Sequence, residues 1–207
     1  MLKLLPALAL LALMMTPAAA KPVTLLALGD SLTAGYGLQP SDAFPVKLEA
    51  ALKAKGHDVK VINAGVSGDT ALDGASRLDW ALAEPVDAVI VELGANDALR
   101  GLPVPQAEAA LDQLLTTLAE KKIPTLLAGM KAPPNLGPDY QKAFDGMYPR
   151  LAEKHGVPLY PFFLDGVAAD TKLNQADGMH PNPAGVDVIV QRILPSVEKL
   201  IETAAAK

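Results

Sequence analysis

Apolar residues along this chain come in short unbroken runs, separated by stretches in which they recur every three or four positions. The runs Val23-Thr24-Leu25-Leu26-Ala27-Leu28, Val59-Lys60-Val61-Ile62, Ala88-Val89-Ile90-Val91-Glu92-Leu93, Pro124-Thr125-Leu126-Leu127-Ala128 and Val157-Pro158-Leu159 have the length of buried strands. Between them, residues 45–55, 70–83, 106–121, 138–155 and 183–201 carry helical periodicity, clearest where Leu111, Leu114, Leu115 and Leu118 fall on one face. Continuous apolar strands alternating with helices imply a parallel sheet covered on both faces, joined by right-handed crossovers. The expectation is one three-layer α/β/α domain with a five-stranded parallel sheet. In the flavodoxin-like order 2-1-3-4-5, strand order reverses between the first and third strands. No repeat, low-complexity run or linker divides the domain, and the proline-rich residues 132–137 read as a loop inside it.

The N-terminus stands apart from this pattern. Lys3 precedes an apolar run from Leu4 to Met15 and then Thr16-Pro17-Ala18-Ala19-Ala20, the layout of a secretory signal peptide cleaved after Ala20. Pro17 and the small residues after it cut the run short of the roughly 18 apolar residues that a membrane span needs. The expected mature domain is residues 21–207, periplasmic or secreted and monomeric, with no stable membrane insertion after cleavage. The chain has no cysteine, which excludes a lipid-modified N-terminal cysteine, disulfides and a thiol nucleophile. An exported chain of this kind relies on its core, and a 50% hydrophobic composition is enough to form one. The formal charge is −5, and −6 once Lys3 is lost with residues 1–20. An acidic chain without basic runs is a poor ligand for nucleic acid. The alanine-rich residues 203–207 are expected to fray.

In a sheet of this order, ligands gather beyond the carboxyl ends of the strands, where the order reverses. Ser31 follows the first strand, Gly68 the second and Asn96 the third, while Asp177 and His180 stand in the loop before the last helix. A serine hydroxyl becomes a nucleophile when an imidazole accepts its proton, and the imidazole benefits from a carboxylate that fixes its tautomer. His180 is the candidate base and Asp177, three residues earlier, the candidate orienting acid. Negative charge on a tetrahedral intermediate needs donors, and three are available: the Ser31 N–H, the Gly68 N–H and the Asn96 side-chain amide. Taken singly, Gly68 and Asn96 also read as turn or helix-start residues; their common placement favours the chemical reading. His57, in the turn Gly56-His57-Asp58, and His155, before Gly156, read as structural. No close-spaced set of histidines and carboxylates suggests a metal, and no cofactor is expected. Asp30, Asp69 and Asp97 read as holders of turns and helix starts. Trp80 reads as core and outside the site, and Met130, Met147 and Met179 as core residues that could line a pocket.

The blocks that carry these residues resemble those of the SGNH, or GDSL-type, hydrolases, and within them the bacterial exported thioesterase I/arylesterase/lysophospholipase group. Gly29-Asp30-Ser31-Leu32 resembles the first block, Asn63-Ala64-Gly65-Val66-Ser67-Gly68-Asp69-Thr70 the second, Val91-Glu92-Leu93-Gly94-Ala95-Asn96-Asp97 the third and Asp177-Gly178-Met179-His180-Pro181-Asn182 the last. Ala95 stands where many relatives have glycine. The resemblance implies a serine nucleophile at Ser31, oxyanion donors at Ser31, Gly68 and Asn96, and the Asp177–His180 pair as base. It further implies that the segment from Gly129 to Gly137, with Met130, Pro133, Pro134 and Asn135, borders an acyl pocket, for which Met179 is a further candidate. The expected activity is hydrolysis of acyl esters and thioesters, including aryl esters and lysophospholipids. Two alternatives are a carbohydrate O-acetyl esterase, disfavoured by an aromatic content of only 4%, and a catalytically silent periplasmic acyl-binding protein.

Overall fold

A computed structural model describes residues 22–206; the expected signal peptide, residues 1–20, lies outside them. Val23–Gly29 forms β1, Val59–Gly65 β2, Ala88–Glu92 β3, Thr125–Ala128 β4 and Leu159–Tyr160 β5. They make one parallel sheet, as the hydrophobic pattern predicts, in the expected flavodoxin-like order β2-β1-β3-β4-β5. The register aligns Gly29 of β1 with Gly65 of β2 and with Glu92 of β3, so three strands end at one level. The three loops bearing Ser31, Gly68 and Asn96 therefore leave the sheet side by side.

Eight α-helices complete the described fold: α1 (Ser31–Ala34), α2 (Phe44–Ala54), α3 (Ala71–Ser76), α4 (Leu78–Ala81), α5 (Ala95–Leu99), α6 (Val104–Glu120), α7 (Pro138–His155) and α8 (Pro183–Ala205). Helices α2 and α8 pack together on one face of the sheet, and α3, α6 and α7 pack in succession on the other. Leu111, Leu114, Leu115 and Leu118 of α6 are all buried, as their spacing requires. Burial of each such side chain is worth roughly 1.5–3 kcal/mol. β3 is buried along its whole length, which is why its sequence is continuously apolar until Glu92.

Four local expectations need correction. The helix expected over residues 70–83 is broken at Arg77 into α3 and α4. The fifth strand begins at Leu159 rather than Val157, because Pro158 has no N–H to give the ladder and contributes only its carbonyl, to Leu127 N at 3.0 Å. Residues 203–205 continue α8 instead of fraying, since Val197, Leu200 and Ile201 keep its last turns against the core. Trp80 is 74% exposed on α4 and not part of the core. The two histidines read as structural each meet a carboxylate away from the catalytic edge, His57 with Glu198 at 3.1 Å and His155 with Asp112 at 2.7 Å.

Candidate active site

The turn after β1 is made by Asp30, whose carboxylate accepts from Leu32 N at 2.9 Å and so caps α1, with Ser31 as the first helical residue. Gly29 is a steric necessity. A Cβ there would fall on the Thr33 hydroxyl and within 2.7 Å of Glu92 Oε2, where the two side chains hydrogen-bond at 2.8 Å. That buried bond ties α1, which bears Ser31, to the end of β3, which leads to Asn96.

The loop before α8 carries the candidate base. Asp177 Oδ1 accepts from Met179 N at 2.9 Å and His180 N at 3.0 Å, while Oδ2 lies 2.7 Å from His180 Nδ1. These donors hold the Asp177 carboxyl down to about 2, so it is ionised at neutral pH. On the far side of the ring, His180 Nε2 lies 3.0 Å from Ser31 Oγ. The Tyr36 ring packs against the imidazole with centroids 4.7 Å apart. Gln175 fastens the loop to the nucleophile turn: its Nε2 donates to Tyr36 O at 2.8 Å and to Pro181 O at 3.0 Å.

Opposite the base, Asn96 Nδ2 donates to Asp69 O at 2.9 Å and to Asp30 Oδ2 at 3.2 Å. Gly68 has φ +92°, a conformation that favours glycine, and its carbonyl accepts from Arg100 Nη2 at 2.8 Å. Asp30 is fully buried, and loss of water pushes its carboxyl up to about 6 despite the Leu32 and Asn96 donors. Burial and the neighbouring Asp30 push Glu92 well above the usual carboxylate range. Glu92 Oε1 has no partner among the described residues.

A cavity of about 300 Å³ opens beside Ser31, Asn96 and His180, with a mostly apolar lining that includes Leu32, Leu99, Met130, Pro133, Phe162 and Leu164. The structure thus brings together Ser31, Asn96, Asp177 and His180, with Gly68 on the neighbouring loop. Of the loop residues expected to border the pocket, Met130 and Pro133 line the cavity and Met179 stands half-exposed on its rim. Pro134 and Asn135 belong to an exposed 3-10 turn, Pro134–Leu136, outside the lining. Met147 is core. Among the described residues no group of three or more His, Cys, Asp or Glu could hold a metal ion.

Sequence reasoning passed over several contributors. Asp30 caps a helix as expected and also holds Asn96. Asp69 pairs with Arg77 at 2.5 Å, while the cap of α3 is Thr70. Asp97 accepts from Ala71 N at 2.8 Å on a different helix from its own. Glu92, a carboxylate ending an otherwise apolar strand, carries the one local signal; Arg77, Tyr36 and Gln175 carry none.

Arranged this way, the side chains can pass a proton from a hydroxyl to an imidazole beside an apolar cavity that Asn96 helps to line. Residues 27–188 match the model of the GDSL-like lipase/acylhydrolase family. The chain is 39% identical over 196 residues to the protein named esterase TesA of Pseudomonas aeruginosa, covering 92% of this chain and 96% of that relative. It is 39% identical over 189 residues to thioesterase 1/protease 1/lysophospholipase L1 of Escherichia coli K12, covering 91% and 89%. The crystal structure of AlinE4, described as an SGNH-hydrolase family esterase, matches with a TM-score of 0.75 at 47% identity, over 88% of this chain and 98% of that one.

Proposed function

The chain belongs to the GDSL-like lipase/acylhydrolase family and is a serine hydrolase acting on ester bonds, and we propose that it works through an acyl-enzyme on Ser31. The observation that carries this reading is the unbroken relay Asp177 Oδ2, His180 Nδ1, His180 Nε2, Ser31 Oγ, with spacings of 2.7 and 3.0 Å. His180 takes the hydroxyl proton as Ser31 Oγ attacks the acyl carbon, and Asp177 stabilises the imidazolium that forms. The tetrahedral oxyanion is held by the N–H groups of Ser31 and Gly68 and by Asn96 Nδ2. Asn96 shifts its longer hydrogen bond, the one to Asp30, onto the oxyanion, while the bond to Asp69 O keeps the amide aimed. Collapse expels the alcohol or thiol with the proton from His180, and water then repeats the sequence on the acyl-enzyme.

The substrates we propose are acyl esters and thioesters, aryl esters and lysophospholipids among them. The apolar lining suits an acyl chain, and the relatives are named esterase and thioesterase 1/protease 1/lysophospholipase L1. Among the described residues no helix is long and apolar enough to cross a membrane. We further propose that the working form is residues 21–207, exported as a monomer. Intact mass of the protein recovered from outside the cytoplasm should correspond to a chain beginning at Lys21. The mechanism is tested by an alkyl phosphonate ester carrying a p-nitrophenol leaving group. One phosphonyl group should attach per chain, on the peptide containing Ser31, with loss of activity in step. Labelling elsewhere, or full inactivation without a label on Ser31, removes the acyl-enzyme.

A further inference from the structure

Arg77 lies outside the cavity and contacts neither the nucleophile nor the base, yet its side chain sits where three segments of the site meet. The chain leaves helical geometry at this residue (φ −102°, ψ 7°), ending α3 and starting α4. Nε meets Asp69 Oδ2 at 2.5 Å, and Nη2 donates to the Gly29 carbonyl at 2.9 Å. The side chains of Arg77 and Asp69 are only 17% and 12% exposed, so the pair is weakly screened by solvent. Gly29 precedes Ser31 by two residues, Asp69 adjoins Gly68, and the Asp69 carbonyl accepts from Asn96. One guanidinium therefore braces the end of β1 against the β2–α3 loop and, through Asp69, against the amide of Asn96.

We propose that Arg77 is a positioning residue of the oxyanion site, fixing the Gly68 N–H and the Asn96 amide at a set distance from Ser31. The proposal rests on the donor roles assigned to Gly68 and Asn96 above. Its physical basis is that oxyanion donors act only when preorganised, within about 2.7–3.1 Å of where the charge develops. Past the end of β2 the loop bearing Gly68 keeps one backbone bond to β1, Val66 N to Gly29 O at 3.0 Å, and beyond it is held by side chains: Arg100 on Gly68 O, Asn96 on Asp69 O and Arg77 on the Asp69 carboxylate. Lysine cannot replace this brace. Arg77 spans two acceptors on different segments with two separate nitrogens, whereas an ammonium is a single point.

The test compares Arg77→Lys, Arg77→Met, Asn96→Ala and the double variant Arg77→Met/Asn96→Ala. Each is assayed on a chromogenic acyl ester and for affinity to an alkyl boronic acid, whose Ser31 adduct is an anionic tetrahedral boronate that places a hydroxyl where the oxyanion would sit. Both Arg77 variants should lower kcat by roughly 10- to 100-fold with KM changed less than about threefold, the effect of a small misplacement of catalytic donors. Boronate affinity should fall by a similar factor, while affinity for the fatty-acid product is retained. In the Asn96→Ala background, Arg77→Met should cost clearly less than in the wild type, the remaining loss being what it exerts through Gly68, since coupled residues are not additive. If Arg77→Met does not fold, Arg77→Lys decides. A folded Arg77 variant with wild-type kcat, or an equal loss with and without Asn96, overturns the proposal. Wild-type kcat in Asn96→Ala would instead overturn the donor assignment and this inference with it.

Discussion

Asp177 and Asp30 both carry carboxylates at the catalytic edge, but one belongs to an exposed four-residue loop and the other to the buried floor between three strands. Asp177 is surrounded by donors from its own loop, the N–H groups of Met179 and His180 and the imidazole, and is held down to about 2. Asp30 loses water on every side and is raised to about 6, with Leu32 N and Asn96 only partly offsetting that loss. The hydrogen bonds between the proposed base and its carboxylate thus lie within four residues, with Gln175 and Tyr36 bracing them from outside. The proposed oxyanion half is assembled from contacts such as Asn96 to Asp30 and Asn96 to Asp69, 66 and 27 residues apart. The pH consequences run in opposite directions. A lowered carboxyl stabilises the fold above its unfolded value and loses that contribution as pH falls, here through about 2. A raised carboxyl makes the fold less stable as pH rises from the unfolded value of 3.8 through about 6.

Several substitutions break this contrast or sharpen it. Ser31→Ala removes the atom on which both halves converge and should lower kcat by a factor on the order of 10⁶ with unchanged circular dichroism. Burst kinetics on a p-nitrophenyl ester, with active-site titration, checks this. Asp177→Asn strikes only the base half. It should lower kcat by about 10⁴ through the wrong imidazole tautomer, with little loss of melting temperature because the side chain is a third exposed. Stopped assays over long times read the residual rate. Asn96→Ala strikes only the oxyanion half and should lower kcat by about 10² to 10³, with KM moving less. A KM effect with kcat intact would move Asn96 into substrate binding.

Two smaller effects follow. Glu92→Gln replaces a fully buried carboxyl, raised well above its usual range, with a neutral amide. The folded protein holds the Glu92 proton to higher pH than the unfolded chain does, so its ionisation disfavours the fold as pH rises above about 4.5. The melting temperature of Glu92→Gln relative to wild type should therefore climb from pH 5 to pH 9, by a few degrees where about 1 kcal/mol corresponds to about 2–4 °C. Thermal melts at stepped pH check the slope. The smallest effect belongs to the loop. Replacing Pro133-Pro134-Asn135 with a flexible sequence should change the kcat/KM ratio of long to short acyl esters a few-fold, through Pro133 at the cavity, and leave an activated acetyl ester nearly untouched. Equal losses at all chain lengths would mean that the loop supports the catalytic centre.

The base half is legible in the sequence because its parts are neighbours in the chain. Asp177 and His180 are three residues apart before a helix capped by Asn182, whose side chain accepts from Gly185 N. The strands and the four blocks are legible for a related reason: each is written in a short window of sequence. The breaks and shifts are less so. Arg77 interrupts a helix that local periodicity would continue, and Pro158 moves a strand start by withholding one donor.

What the sequence determined by itself was the alternation of buried strands and amphipathic helices, and hence a parallel sheet that places Ser31, Gly68 and Asn96 at one edge and Asp177 with His180 before the last helix. Hydrophobic periodicity encodes such features because burying one face of each element is a local demand. Only the tertiary structure decided that Asp30 and Asp69 orient Asn96, that Glu92 locks to Thr33 beneath the nucleophile, and that Arg77 ties Gly29 to Asp69. Those pairings have no period and no fixed spacing. They exist because closing the sheet removes water from polar groups brought from distant segments, and in that setting each group must find a partner or change its protonation state.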